Sequence, residues 1–406
     1  MTKAGFMAAL CVAAALLIGC SEDRSAPRAT AALPPVERPD LARASEVVRT
    51  PLQQRFDEAT RLGDARSYGE LGKTLLAAGY LDAAASALLR AESMAPGEFA
   101  WPYYLGHVHR LNAAWEKSAA PFERAAAIRP DDVAVQVWLG EARLALGEPD
   151  AATRAFERAS SIDPSVSAGW FGLGRAALGR GDHQTAAGHL ERALSLDPRA
   201  SAIRYPLAMS YRGLGDRQKA EAHLRMRGQT KPALPDPLMR DVDMLLETAT
   251  SYDLRALAAL ERGDWAAVVA AARAGIAVSH DNPPVQAMLR HRLGTALVQT
   301  GDARGAYEEF ERAIAQVPDF ARGHYSLGIM LYSMGRTREA SERLTAAVRS
   351  DPVYVEARLM LGTVLLESGR AREGLEQFDA ALEVVPDLTP AREGRAAALA
   401  MLQRAP

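Results

Sequence analysis

An all-α solenoid of stacked helix pairs is the fold class this sequence predicts, and three observations predict it. Glycine recurs with a period of about 34 residues at Gly72, Gly106, Gly140 and Gly174, with Ala208 in the next slot. Proline recurs in register at Pro96, Pro130, Pro164, Pro198 and Pro232. A large apolar residue precedes each small one, at Leu71, Leu105, Leu139, Leu173 and Leu207, and again at Leu293, Leu327 and Leu361. A fixed period of this length marks helix-turn-helix units that bury their apolar faces only by stacking on neighbours.

The chain starts differently. Met1-Thr2-Lys3 precedes an apolar run from Phe6 to Ile18, too short for a membrane span and matched to an export signal. The run closes on Leu17-Ile18-Gly19-Cys20, which resembles the lipobox of bacterial lipoproteins. The resemblance implies a signal peptide over 1–19, cleavage after Gly19, and a lipid such as palmitate on Cys20. By the enterobacterial lipoprotein sorting pattern, in which Asp after the cysteine favours the inner membrane, the resemblance with Ser21 in that place implies the periplasmic face of the outer membrane. The two cysteines are Cys11 and Cys20. Cleavage leaves Cys20 alone, so the mature chain forms no internal disulfide and depends on packing. Residues 20–64 read as a tether, with Pro34-Pro35 and Pro39 disfavouring helix, followed by an N-terminal helix.

Repeats then run over 65–234, starting at Ala65, Phe99, Val133, Ser167 and Ser201. They resume over 249–388, with a degenerate unit near Ala249 and regular units from Ala287, Ala321 and Val355. Gly or Ala at the eighth position lets one helix approach its partner. Large residues at Leu88, Phe122, Phe156, Leu190, Leu224, Phe310, Leu344 and Phe378 fill the space between them. Gly147, Gly181, Gly215, Gly301, Gly335 and Gly369 stand where the first helix of a pair ends. Asp182, Asp216 and Asp302 follow and can cap the second.

Residues 235–248 break the period as an inserted helix or linker. Prolines cluster at Pro232, Pro235 and Pro237, and Leu238, Val242, Leu245 and Leu246 share one side of a helix. Arg227 occupies a slot that is Ala in most other repeats, where a charged side chain does not suit a tightly stacked neighbour. The expectation is two sub-arrays, about nine repeats in all, that fold separably about an exposed, protease-sensitive insert. Residues 389–406 read as a helix capping the last repeat.

This pattern resembles the tetratricopeptide repeat family over most of the mature chain. The resemblance implies a right-handed superhelix whose first helices line a concave groove through their second, fifth, ninth and twelfth positions. Those positions hold Tyr103, His107 and Arg110; Phe171 and Arg175; Tyr205, Met209 and Arg212; and Arg322, Tyr325, Ile329 and Tyr332. With aromatics at only 6% of the chain, their recurrence beside arginine has the composition of a binding hot spot. The same residues can instead pack between helices. The Lys and Asn pattern of the family's carboxylate clamp is not matched: Lys73 is present at one ninth position, but Gly69 precedes it at the fifth and no Asn follows at the matching slots.

The net charge of −2 gives no case for nucleic acid. No HExxH, CxxC, phosphate-binding loop or GxSxG motif occurs, so no metal, cofactor or catalytic residue is expected. The expected function is a lipid-anchored scaffold gripping segments of envelope proteins. An accessory role in polysaccharide export, and an enzyme with an unrecognised site, are the alternatives.

Overall fold

In the computed structural model the described residues are 35–42, 44–279 and 282–404. The signal, the lipobox and Cys20 lie outside them. Residues 35–406 form one compact unit, helical wherever regular secondary structure is assigned among the described residues.

Helix α1 (Glu46–Leu62) leads in, burying Leu52, Phe56 and Ala59 against the first repeat. The first array then pairs α2 (Ala65–Ala77) with α3 (Leu81–Met94), α4 (Ala100–Leu111) with α5 (Trp115–Ile128), and α6 (Val133–Ala145) with α7 (Pro149–Ile162). It continues with α8 (Ser167–Gly179) and α9 (His183–Leu196), then α10 (Arg204–Gly213) and α11 (Arg217–Arg225). After the short α12 (Pro237–Asp243), the second array pairs α13 (Ala249–Glu261) with α14 (Trp265–Val278) and α15 (Pro283–Gln299) with α16 (Ala303–Gln316). Helices α17 (Ala321–Ser333) and α18 (Thr337–Ser350), then α19 (Val355–Glu367) and α20 (Ala371–Val384), complete it. Helix α21 (Thr389–Arg404) packs on α19 and α20, burying Ala391 and Ala398 over the end of the stack.

The predicted small-and-large pairing is the packing rule. A methyl group added at Gly106 would lie 2.6 Å from the Phe122 ring, and one at Gly140 2.6 Å from Phe156. Phe156 also abuts Gly172 of the next repeat, so one ring fills the hole within a pair and between pairs. The turns follow the prediction too. Gly181 takes the left-handed conformation at φ 77°, and the Asp182 carboxylate accepts the Thr185 backbone N–H at 3.1 Å. Ala113 occupies the equivalent turn of the second repeat at φ 53°, with no glycine to relieve it.

Stacking is interrupted after α11, giving the expected two arrays. Helix α11 ends at Arg225, and Arg227 is exposed beyond it, so its charge is never enclosed. The insert, however, is not an exposed linker. From α11 the chain doubles back: Ala202 N–H donates to Thr230 O at 3.0 Å and Ala233 N–H to the Asp197 carboxylate at 3.3 Å. It then runs along the inner face of the first array toward its beginning. Leu234 packs with Val133 and Trp170, and Leu238, Met239 and the buried Val242 join the core of the first three repeats.

The arrays also touch directly. Met226, at the end of α11, is buried among Val353, Val355, Ala381, Val384 and Ala391 of the last repeats. Arg199 pairs with Glu356 across the same junction. Arg204 is enclosed there, its guanidinium brought down to about 10 by burial, with Glu383 of α20 opposing the shift. The two halves are therefore joined by packing as well as by chain.

Candidate functional site: a concave groove occupied by the chain's own insert

The inner face of α4 and α6 carries an enclosed polar cluster. Tyr103 and His107 are 1% and 0% exposed, because their helical spacing aims both at the groove and the insert covers them. Asp236, between Pro235 and Pro237, reaches into this cluster. One carboxylate oxygen accepts the Tyr103 hydroxyl at 2.7 Å and the Trp138 indole N–H at 2.9 Å. The other caps α12, accepting the Met239 backbone N–H at 3.1 Å. Pro237 supplies the fixed φ suited to the first helical position, so the Pro-Asp-Pro sequence both starts α12 and presents the carboxylate.

His107 completes the cluster. Arg110 donates to its Nδ1 at 3.3 Å through Nε and lies 3.2 Å from it through Nη2, which places the imidazole proton on Nε2. Nε2 faces Asp236 at 3.7 Å, too far for a hydrogen bond, and has no partner. Burial, then the Arg110 charge, holds His107 well below the usual histidine range, so it is neutral. Burial and the adjacent Asp236 push the Tyr103 hydroxyl up, so it stays protonated and donates. Arg110 stacks over Trp138, 4.4 Å from the ring centre. Beside the cluster, a cavity of about 670 Å³ extends between Arg110, Leu111, Trp138, the insert and Leu254 of the second array.

The other sequence-predicted groove residues fall into different settings. Phe171 is half-buried beneath Arg175, which stacks over it at 5.3 Å and pairs with Glu141 of the preceding repeat. Tyr205 is 55% exposed, Arg212 is exposed and Met209 is half-buried. In the second array Arg322 and Tyr325 line a cavity of about 450 Å³ that also includes Arg199, Thr230 and Tyr354. The Tyr325 and Tyr354 rings meet at 5.0 Å. Tyr332 donates instead to Glu367 at 2.6 Å, and Ile329 is exposed. The predicted stripe is thus not one continuous open surface. Its Tyr103 and His107 portion is covered by the insert, and its eighth-repeat portion faces the end of the first array.

Trp138 and Asp236 escaped sequence reasoning. Trp138 sits at the sixth position of its repeat, outside the positions considered for the groove. Asp236 is 133 residues from Tyr103 in the chain. The legible signal was the apolar side of the insert, which needed a surface to cover it.

The structure also brings His291 of α15 within 3.0 Å of the Ser326 hydroxyl of α17. Burial, Arg322 and Arg292 bring His291 down to about 3. So weak a base is poorly matched to activating a serine near neutral pH. Among the described residues no group of three or more His, Cys, Asp or Glu side chains is placed to hold a metal, and no helix is long and apolar enough to cross a membrane.

Stacked helix pairs with a peptide-bearing inner face define a helical-repeat solenoid. The chain belongs to the tetratricopeptide repeat family. Models of that repeat match residues 70–133, 139–201, 291–336, 331–390 and 359–406, and a second such model matches 177–239. No curated protein sequence matches. Among solved structures the chain is similar to a MamA protein, at 19% identity over 40% of this chain and 88% of that one, with a TM-score of 0.38. It is also similar to MamA from Desulfovibrio magneticus RS-1, at 17% identity over 40% and 91%, TM-score 0.38. A third similarity is to the APC/C hetero-tetramer Cut9-Hcn1, at 13% identity over 82% and 63%, TM-score 0.35.

Proposed function

We propose that this protein is a non-catalytic interaction scaffold of the bacterial envelope, tethered by lipid on Cys20 to the periplasmic face of the outer membrane. In this reading its solenoid holds extended or short helical segments of other envelope proteins. One observation carries the scaffold reading: the inner face of the first array already holds a polypeptide segment, the chain's own insert, through side-chain hydrogen bonds and apolar contacts. A surface that holds such a segment in cis has the chemistry to hold one in trans. Concave faces of this kind are the binding surfaces of solenoid proteins generally. The anchor rests on Leu17-Ile18-Gly19-Cys20 ending the apolar run.

Crosslinking in the native envelope, followed by identification of captured proteins, tests the scaffold. Specific capture of one or a few envelope proteins is expected, and recovery of glycan without protein would favour the polysaccharide alternative. Metabolic labelling with a palmitate analogue tests the anchor. Label and membrane fractionation disappear in Cys20→Ala if it is correct, and equal label on both forms overturns it.

A further inference from the structure

We propose that Tyr103, Trp138 and His107 form a recognition site for an acidic side chain on an extended segment of a partner protein, and that Asp236 occupies it as the chain's own stand-in. The proposal rests on the scaffold reading and names the chemistry that the groove selects. Three N–H or O–H groups converge on one point: the Tyr103 hydroxyl, the Trp138 indole and the His107 Nε2–H. Asp236 satisfies the first two at 2.7 and 2.9 Å and leaves the third at 3.7 Å. The unused donor belongs to a completely buried side chain aimed at the carboxylate, with its tautomer set by Arg110.

The pocket therefore offers more than its present occupant uses. A glutamate, whose carboxylate reaches one methylene further, has the length to engage all three donors. Arg110 and Arg240 border the adjoining cavity and suit an acidic segment entering there, while Asp243 sits close enough to Asp236 to oppose its charge. The insert is held by a seven-residue helix preceded by a run without regular structure, the form expected of a segment that can be exchanged.

The test uses the full mature chain with residues 232–246 replaced by a Gly/Ser linker of equal length. The probe is a fluorescent peptide carrying this protein's own residues 230–246. Peptide with aspartate at position 236 should bind, and peptide with Asp236→Glu should bind at least as tightly. Peptide with Asp236→Asn should bind about tenfold more weakly or worse, since a hydrogen-bonded charge is lost. Tyr103→Phe in the linker chain should reduce the difference between Asp and Asn peptides. Equal binding of Asp and Asn peptides, or no binding to a linker chain with a normal melt, overturns the proposal. If the linker chain does not fold, Asp236→Asn and Asp236→Glu in the otherwise intact chain replace it: Asp236→Asn should lower the melting midpoint and Asp236→Glu should not, and equal midpoints for the native and Asp236→Asn chains overturn the proposal. Envelope capture that persists despite such a failure leaves the scaffold standing and removes only this site.

Discussion

Phe156 should show the packing rule of this solenoid in a single double-mutant cycle. Its ring is fully buried between Gly140 of its own repeat and Gly172 of the next. Replacing a buried Phe by Ala costs about 3–5 kcal/mol, the larger values arising where neighbours cannot collapse into the void. Here two of the walls are glycines with no side chain to move inward, so Phe156→Ala should fall near the top, at about 4–5 kcal/mol. Gly172→Ala alone places a methyl 2.3 Å from the ring, a true overlap. Such overpacking costs about 1–3 kcal/mol, offset by about 1 kcal/mol of improved helix propensity in α8. With Phe156→Ala already present the overlap is gone. Gly172→Ala should then stabilise by about 1 kcal/mol, a reversal of sign. The propensity gain cancels in the cycle, so the coupling between the sites should equal the overlap cost, about 1–3 kcal/mol. Urea unfolding of the protein, followed by far-ultraviolet circular dichroism, measures all four corners. Effects that add within about 0.5 kcal/mol would refute the claim that the Phe156 ring sets the spacing between adjacent pairs.

Other expectations follow from single features. Ala113→Gly should stabilise the chain by about 1 kcal/mol, by relieving a left-handed alanine, and thermal melting would show an unchanged or lower midpoint if the turn is unstrained. Met226→Asp should cost about 3 kcal/mol or more at the junction between arrays and split unfolding into two transitions, whereas a single unchanged transition would show that the contact does not couple them. Stability should also fall in acid. His107 and His291 both have folded values below the ordinary value of about 6.5, so their neutral forms cost nothing above it. As pH falls below about 6.5 the unfolded chain takes up protons that the folded chain refuses, and for His291 this continues to about 3. For His291 the loss is about 1.4 kcal/mol per pH unit once well inside that window, so His291→Gln should flatten the loss between pH 7 and 5 by about 2 kcal/mol. Parallel slopes for both proteins would count against the assignment.

The repeats were legible because each signal is local. Gly140 and Phe156 lie within one helix pair, and the turn at Gly181-Asp182 is set by two adjacent residues. Period, cap and packing hole therefore announce themselves within about 34 residues. The occupied groove was not legible, because its central contact joins Tyr103 to Asp236 through a reversal of the chain after α11. Arg227 correctly marked where stacking stops. Nothing local told whether the following segment runs outward into solvent or back along the inner face. Leu238 and Val242 required some apolar surface, but the sequence does not say which. The exposed Tyr205 and enclosed Tyr103 occupy equivalent positions in their repeats, so position alone does not decide what a groove residue touches.

The burial of Met226 against the last repeats has a mechanical meaning. An open solenoid behaves as a spring: each unit touches only its neighbours, and small rotations at successive interfaces let the whole widen or narrow. A contact between Met226 and Val353, reinforced by Arg199 with Glu356, ties distant turns of that spring together. Widening the second array then requires breaking an apolar contact rather than only bending soft interfaces. Like the contact of Asp236 with Tyr103, the closure adds a long-range contact to a fold whose repeats pack mainly on near neighbours, so it raises the contact order and sets its formation late relative to the local pairs. A clasped spring of this kind holds its inner surfaces at fixed width, and any ligand entering them must either fit that width or open the clasp.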